Sequence, residues 1–102
     1  MREATSLLNA DRVNSVLYFT APWCGPCRVL GPLIEGMHSQ YYELNFIKVN
    51  IDEAPEIATE FKVQAVPTVL LIVNGEEKKG LTGLHPKTTY DKVFQEYVGE
   101  LD

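Results

Sequence analysis

Cys24 and Cys27 are the only cysteines in the 102 residues, and two residues that shape the backbone, Gly25 and Pro26, lie between them. A thiol–disulfide exchange centre needs one accessible thiolate to attack a disulfide and a second thiol close enough to resolve the mixed disulfide. Before the pair runs Val16-Leu-Tyr-Phe-Thr20, β-branched and aromatic in the manner of a strand. After it, Leu30, Leu33, Ile34, Met37 and Tyr41 recur at helical spacing. The pair therefore falls where a strand turns into a helix. Free N–H groups and the positive end of the helix macrodipole favour a thiolate there. Such a Cys-x-x-Cys reads as a redox site. Cys24, at the helix start, is the expected nucleophile, and Cys27, one turn further in, the shielded resolving thiol. Gly25 permits a tight loop, Pro26 fixes φ at an early helical position, and Trp23 flanks the site with a large, partly exposed ring.

Other uses of two cysteines stay open at this point. Intrachain zinc would want four ligands, and only His38 and His85 are added, neither at finger spacing. A cluster bridging two chains, iron–sulfur or zinc, and a pair of inert thiols are the remaining alternatives. Both histidines read as surface residues without a catalytic role. The net charge of −5, with no basic run beyond Lys78-Lys79, argues against nucleic acid as a direct ligand. No apolar stretch approaches a membrane span, since Val69-Leu-Leu-Ile-Val73 has only strand length. The start, Met1-Arg-Glu-Ala-Thr-Ser, lacks the apolar core of a signal peptide, which points to a cytoplasmic protein.

The elements that must position the site follow in order, within a single domain over 1–102. A short helix is expected over 5–13, with Thr5 or Ser6 as its cap. A strand buried on both faces runs over 15–20. The helix from Cys24 to about Tyr42 carries Pro32 inside it, which predicts a kink near Arg28–Pro32. Asn45–Ile51 alternates like a strand, so strand, helix and strand make a right-handed parallel βαβ unit. Asp52 is placed to cap a helix over 53–62. A strand over 68–73 turns at Asn74-Gly75 and returns along 76–82. The last helix, roughly 86–101, buries Tyr90, Val93, Phe94, Tyr97 and Leu101. The result is a three-layer α/β/α sandwich around a mixed sheet of about four strands, in the order 46–51, 15–20, 68–73, 76–82.

Trp23-Cys-Gly-Pro-Cys27 after an aromatic strand, Pro32, Asn50-Ile-Asp52, Val66-Pro67-Thr68, Asn74-Gly75 and Gly83 occur in one order and spacing. That pattern, over about residues 15 to 101, resembles the thioredoxin family. The resemblance implies the thioredoxin fold and a cis peptide bond before Pro67. It implies that Val66 offers its backbone to an extended substrate chain, in the manner of strand addition. Trp23, Ala65, Val66, Pro67, Gly83 and Leu84 would then form an apolar rim around Cys24.

The sequence also departs from the family pattern. Tyr18 occupies the position of a usual buried aspartate thought to help deprotonate the resolving cysteine, and a phenol is a poor base at neutral pH. Lys48 matches the lysine that accompanies that aspartate and lacks its partner here. Thr20 stands where a second tryptophan is usual, which leaves Trp23 as the only indole. The family's extra first strand is not readable in Met1–Asn14, so strand 46–51 is expected to form an edge of the sheet. The function implied is a monomeric protein-disulfide reductase that needs no bound cofactor, takes electrons from a thioredoxin reductase and passes them to disulfide-containing target proteins. Its rivals are an interaction subunit that uses only the rim, a cluster-carrying dimer, and an oxidant or isomerase.

Overall fold

The computed structural model describes residues 1–102. Strand β2, Ser15–Thr20, is buried at every position because both of its edges and both of its faces are covered. β3, Asn45–Asn50, pairs with it in parallel, Tyr18 opposite Lys48 and Thr20 opposite Asn50. β4, Thr68–Val73, pairs on its other side in antiparallel register, and β5, Glu76–Thr82, continues the sheet. Asn74 and Gly75 take φ of 54° and 82°, the left-handed conformation that a two-residue hairpin turn between β4 and β5 requires.

A further strand, β1, spans Arg2–Glu3 and pairs in parallel with β3, so the order is β1-β3-β2-β4-β5. The sequence reading placed no strand before residue 15 and left β3 at the edge; the sheet has five strands. Two exposed residues carry no hydrophobic pattern, and backbone pairing alone makes the strand, continued by the Ala4 N–H to the Lys48 carbonyl at 3.0 Å. The expected helix over 5–13 shrinks to one turn of 3₁₀ helix, Ala10–Arg12, with no side-chain cap from Thr5 or Ser6. What orders this segment is Asp11, only 1% exposed. Its carboxylate accepts the Leu8 N–H at 2.7 Å and pairs with Arg2.

Helix α1, Cys27–Met37, starts later and ends earlier than the helical spacing suggests, and it runs on through Pro32. With α3, Lys87–Val98, it covers one face of the sheet. There Tyr41 and Phe46 meet Phe94 edge-on, at centroid distances of 5.3 and 5.9 Å. Helix α2, Pro55–Glu60, covers the opposite face with Ile57 and Ala58 against Leu17, Phe19, Ile47 and Val49. The α/β/α layering and the order of the four central strands match the sequence reading. Asp52 does not cap α2, whose N-cap is Ala54; it sits in the turn after β3, where its carboxylate accepts from Trp23.

Removing the Asp11 side chain should loosen β1 selectively. Asp11→Ala is expected to cost about 1–3 kcal/mol, since it removes the carboxylate's charged hydrogen bonds to the Leu8 N–H and to Arg2. In hydrogen exchange the Ala4 amide should lose protection while the amides of β2 and β4 keep theirs. Unchanged protection at Ala4 would show that β1 holds without this carboxylate.

Candidate active site

β2 ends at Thr20, and Ala21–Pro26 carry the chain from the sheet into α1. The Cys24 N–H bonds back to the Ala21 carbonyl at 3.2 Å, and the N–H groups of Arg28 and Val29 reach Gly25 and Pro26. These turns bring Cys24 and Cys27 within 5.4 Å between Cα atoms, and the two are joined by a disulfide. The Cys27 N–H, the first of α1, donates to the Cys24 sulfur at 3.2 Å. A helix terminus thus points a free donor and its partial positive charge at Cys24, as the spacing implies.

The exposure of the pair differs from expectation. Cys24 is 4% exposed and Cys27 6%, so neither is the open one in the disulfide state. Closing the bond turns each sulfur toward the other, and Ala21, Ile51 and Val66 pack around them. Trp23 is 66% exposed and is not free: its Nε1 donates to Asp52 at 3.0 Å. Asp52 is itself held by its N–H on the Asn50 side chain. Sequence reasoning read this residue as a helix cap, because its type fits a cap and the indole beside it in space is 29 residues away.

Opposite lies the Val66–Pro67 peptide bond, which is cis. Pro67 is buried and its carbonyl accepts the Gly83 N–H at 2.8 Å, which joins two of the predicted rim segments. Gly83 has φ of 85°, a conformation suited to glycine, and Leu84 beside it is exposed. Neither the N–H nor the C=O of Val66 is engaged by the rest of the chain. Ala65 stands further out, its carbonyl taken by the Thr68 hydroxyl at 2.6 Å. His85 binds the Thr82 carbonyl through Nε2 and His38 stacks on Phe46, so neither turns to the cysteines.

Behind the disulfide, Tyr18 is fully buried, and its hydroxyl donates to the Cys27 carbonyl at 3.1 Å, with Thr20 Oγ1 at 3.4 Å. It is therefore more than a core aromatic, since its polar end holds the first turn of α1. Burial raises its pKa above the ordinary tyrosine value of 10.0, and the Thr20 contact opposes this. The phenol stays neutral at physiological pH and offers no base to Cys27. Lys48, next to Tyr18 across β2 and β3, lines the same cavity as Tyr18 and Cys27.

The thioredoxin family model matches residues 3–96. The chain belongs to the thioredoxin family. It is 43% identical over 94 residues to chloroplastic thioredoxin M5 of Oryza sativa subsp. japonica, covering 91% of this chain and 55% of that protein. To thioredoxin 1 of a Nostoc strain it is 33% identical over 93 residues, covering 90% and 86%. The crystal structure of Fasciola hepatica thioredoxin superposes with a TM-score of 0.85 at 30% identity, over 95% of this chain and 99% of that one. The chain spans about half the length of the plant chloroplastic thioredoxins it matches, from 47% to 56%. Family and closed disulfide together make this a thioredoxin-fold domain with a Cys24–Cys27 pair at disulfide distance.

The Tyr18 hydroxyl makes a signed prediction for pH. Its raised pKa means that the stability it confers is complete below about pH 10, where the unfolded chain begins to ionise. That stability is lost as pH rises through the higher folded value. In urea titrations Tyr18→Phe should flatten the alkaline loss and cost about 0.5–1.5 kcal/mol near neutrality, from the bond to Cys27. An alkaline slope identical to that of the wild type would contradict the assignment.

Proposed function

We propose that this domain reduces disulfide bonds in other proteins, with Cys24 as nucleophile and Cys27 as resolving thiol. The Cys24 thiolate attacks one sulfur of a target disulfide, and the other target sulfur leaves as a thiolate. Cys27 then loses its proton, attacks Cys24 and releases the second target thiolate, which leaves the Cys24–Cys27 disulfide and a reduced target. The observation that carries the order of attack is the Cys27 N–H directed at the Cys24 sulfur, which stabilises negative charge there.

The unengaged N–H and C=O of Val66 support docking of the target as an extended strand, with Trp23, Ala65, Pro67, Gly83 and Leu84 as the surrounding rim. A thioredoxin reductase restores the dithiol. Electrons reside on the two sulfurs alone, so the cycle calls for no bound cofactor. The domain acts as a monomer, because the exposed edge strand β5 presents Glu76, Glu77, Lys78 and Lys79, whose charge opposes edge-to-edge pairing. A reducing compartment suits two cysteines committed to one exchangeable pair. The proposed setting is the cytoplasm; the chloroplastic relatives make a plastid stroma the alternative of the same redox character.

Reduction of insulin disulfides by dithiothreitol tests the reading. The wild type should accelerate the reaction strongly, Cys24→Ser should abolish the acceleration, and Cys27→Ser should accumulate as a mixed disulfide through Cys24. No acceleration above dithiothreitol alone would contradict a general reductase and favour a role for the rim in binding.

A further inference from the structure

Beside the disulfide, between β2, β3 and the first turns of α1, lies an open cavity of about 550 Å³. Tyr18, Thr20, Cys27, Arg28, Gly31 and Lys48 are on its wall. Its polar lining is rich in donors and cations and poor in counter-charge. Lys48 is half-buried, yet neither it nor Arg28 takes part in any of the six ion pairs of the protein. Glu3, the register partner of Lys48 on β1, stays beyond ion-pair distance. Glu35, the one carboxylate on the lining, accepts from the Met1 amino group at 2.8 Å. The Tyr18 proton is directed at the Cys27 carbonyl, and the wall's one carboxylate, Glu35, is already engaged by the Met1 amino group.

A partly desolvated ammonium without a counter-ion concentrates positive potential in the concavity that holds it. The overall charge of −5 and the nearby Glu35 disfavour a dianion relative to a monoanion. A carboxylate is a flat monoanion with two acceptor oxygens, one to meet Lys48 and one to face Thr20 and Cys27. We propose that this cavity binds a small carboxylate anion through Lys48, and that the bound carboxylate takes the proton of Cys27. The second half rests on the resolving role of Cys27. In that step the Cys27 S–H bond breaks and the proton passes to a carboxylate oxygen, giving the neutral acid. The Cys27 sulfur then bonds to Cys24, and the target sulfur departs with the electron pair of the broken mixed disulfide.

The binding half is tested by following amide shifts of the isotope-labelled, oxidised chain during titration with sodium acetate, against sodium chloride at matched ionic strength. Shifts at Thr20, Cys27, Arg28, Gly31 and Lys48 are expected to saturate with a midpoint on the order of 10 mM. They should vanish in Lys48→Met, which removes the charge, and in Gly31→Leu, which fills the cavity with an added side chain. Equal shifts in chloride, or shifts that persist in both variants, would overturn the site. For the second half, release of a target thiol from Cys24 in a single turnover should rise several-fold in acetate and not in chloride. Binding shifts without a rate change would overturn the proton transfer. A chain that releases no thiol in either salt would contradict the resolving role and the proton transfer with it, while the shifts still decide the binding.

Discussion

The contact between the Cys27 N–H and the Cys24 sulfur, 3.2 Å long, exists only because a central strand delivers the chain directly into a helix N-terminus. β2 can end at a fixed place because it is paired on both edges and buried throughout. α1 can begin at a fixed place because Leu30, Ile34 and Met37 seat it on the sheet, and Tyr18 ties its first turn to β2. Between those anchors the loop is short enough for the two cysteines to meet. Loosening either anchor would relax the helix end that polarises Cys24 and the spacing that lets Cys27 reach it.

The two sides of the disulfide are chemically unlike. On one side lie Val66, whose N–H and C=O are unengaged, the cis-linked Pro67, Gly83 and the exposed Leu84. On the other, Tyr18, Thr20, Arg28 and Lys48 line a polar recess that the rim does not share. Exchange by two thiols needs somewhere for the proton of the second thiol to go. With tyrosine in place of a carboxylate, the recess directly behind Cys27 supplies structure and positive charge, and its carboxylate, Glu35, is tied to the Met1 amino group.

The parts of this arrangement legible in the sequence are those set by local pattern. β2 and β4 announce themselves through β-branched and aromatic runs, the hairpin through Asn74-Gly75, and the redox pair through its place between strand and helix. β1 was illegible because Arg2 and Glu3 have no pattern to show; backbone pairing with β3 and the buried Asp11 make it. Asp52 misled because residue type shows what a side chain could cap, not the indole that tertiary folding sets above it. The cis bond before Pro67 was accessible only through resemblance. The near-equal burial of the two cysteines could not be read from spacing, since it follows from the closed disulfide and the packing of Ile51 and Val66.

The most direct test of the central claim, that the helix terminus singles out Cys24, is the rate of iodoacetamide alkylation at each cysteine of the reduced protein as a function of pH, resolved by peptide mapping. The structure predicts that Cys24, whose sulfur faces the Cys27 N–H, is alkylated much the faster near neutral pH. Equal rates at the two sites, or faster reaction at Cys27, would contradict the account.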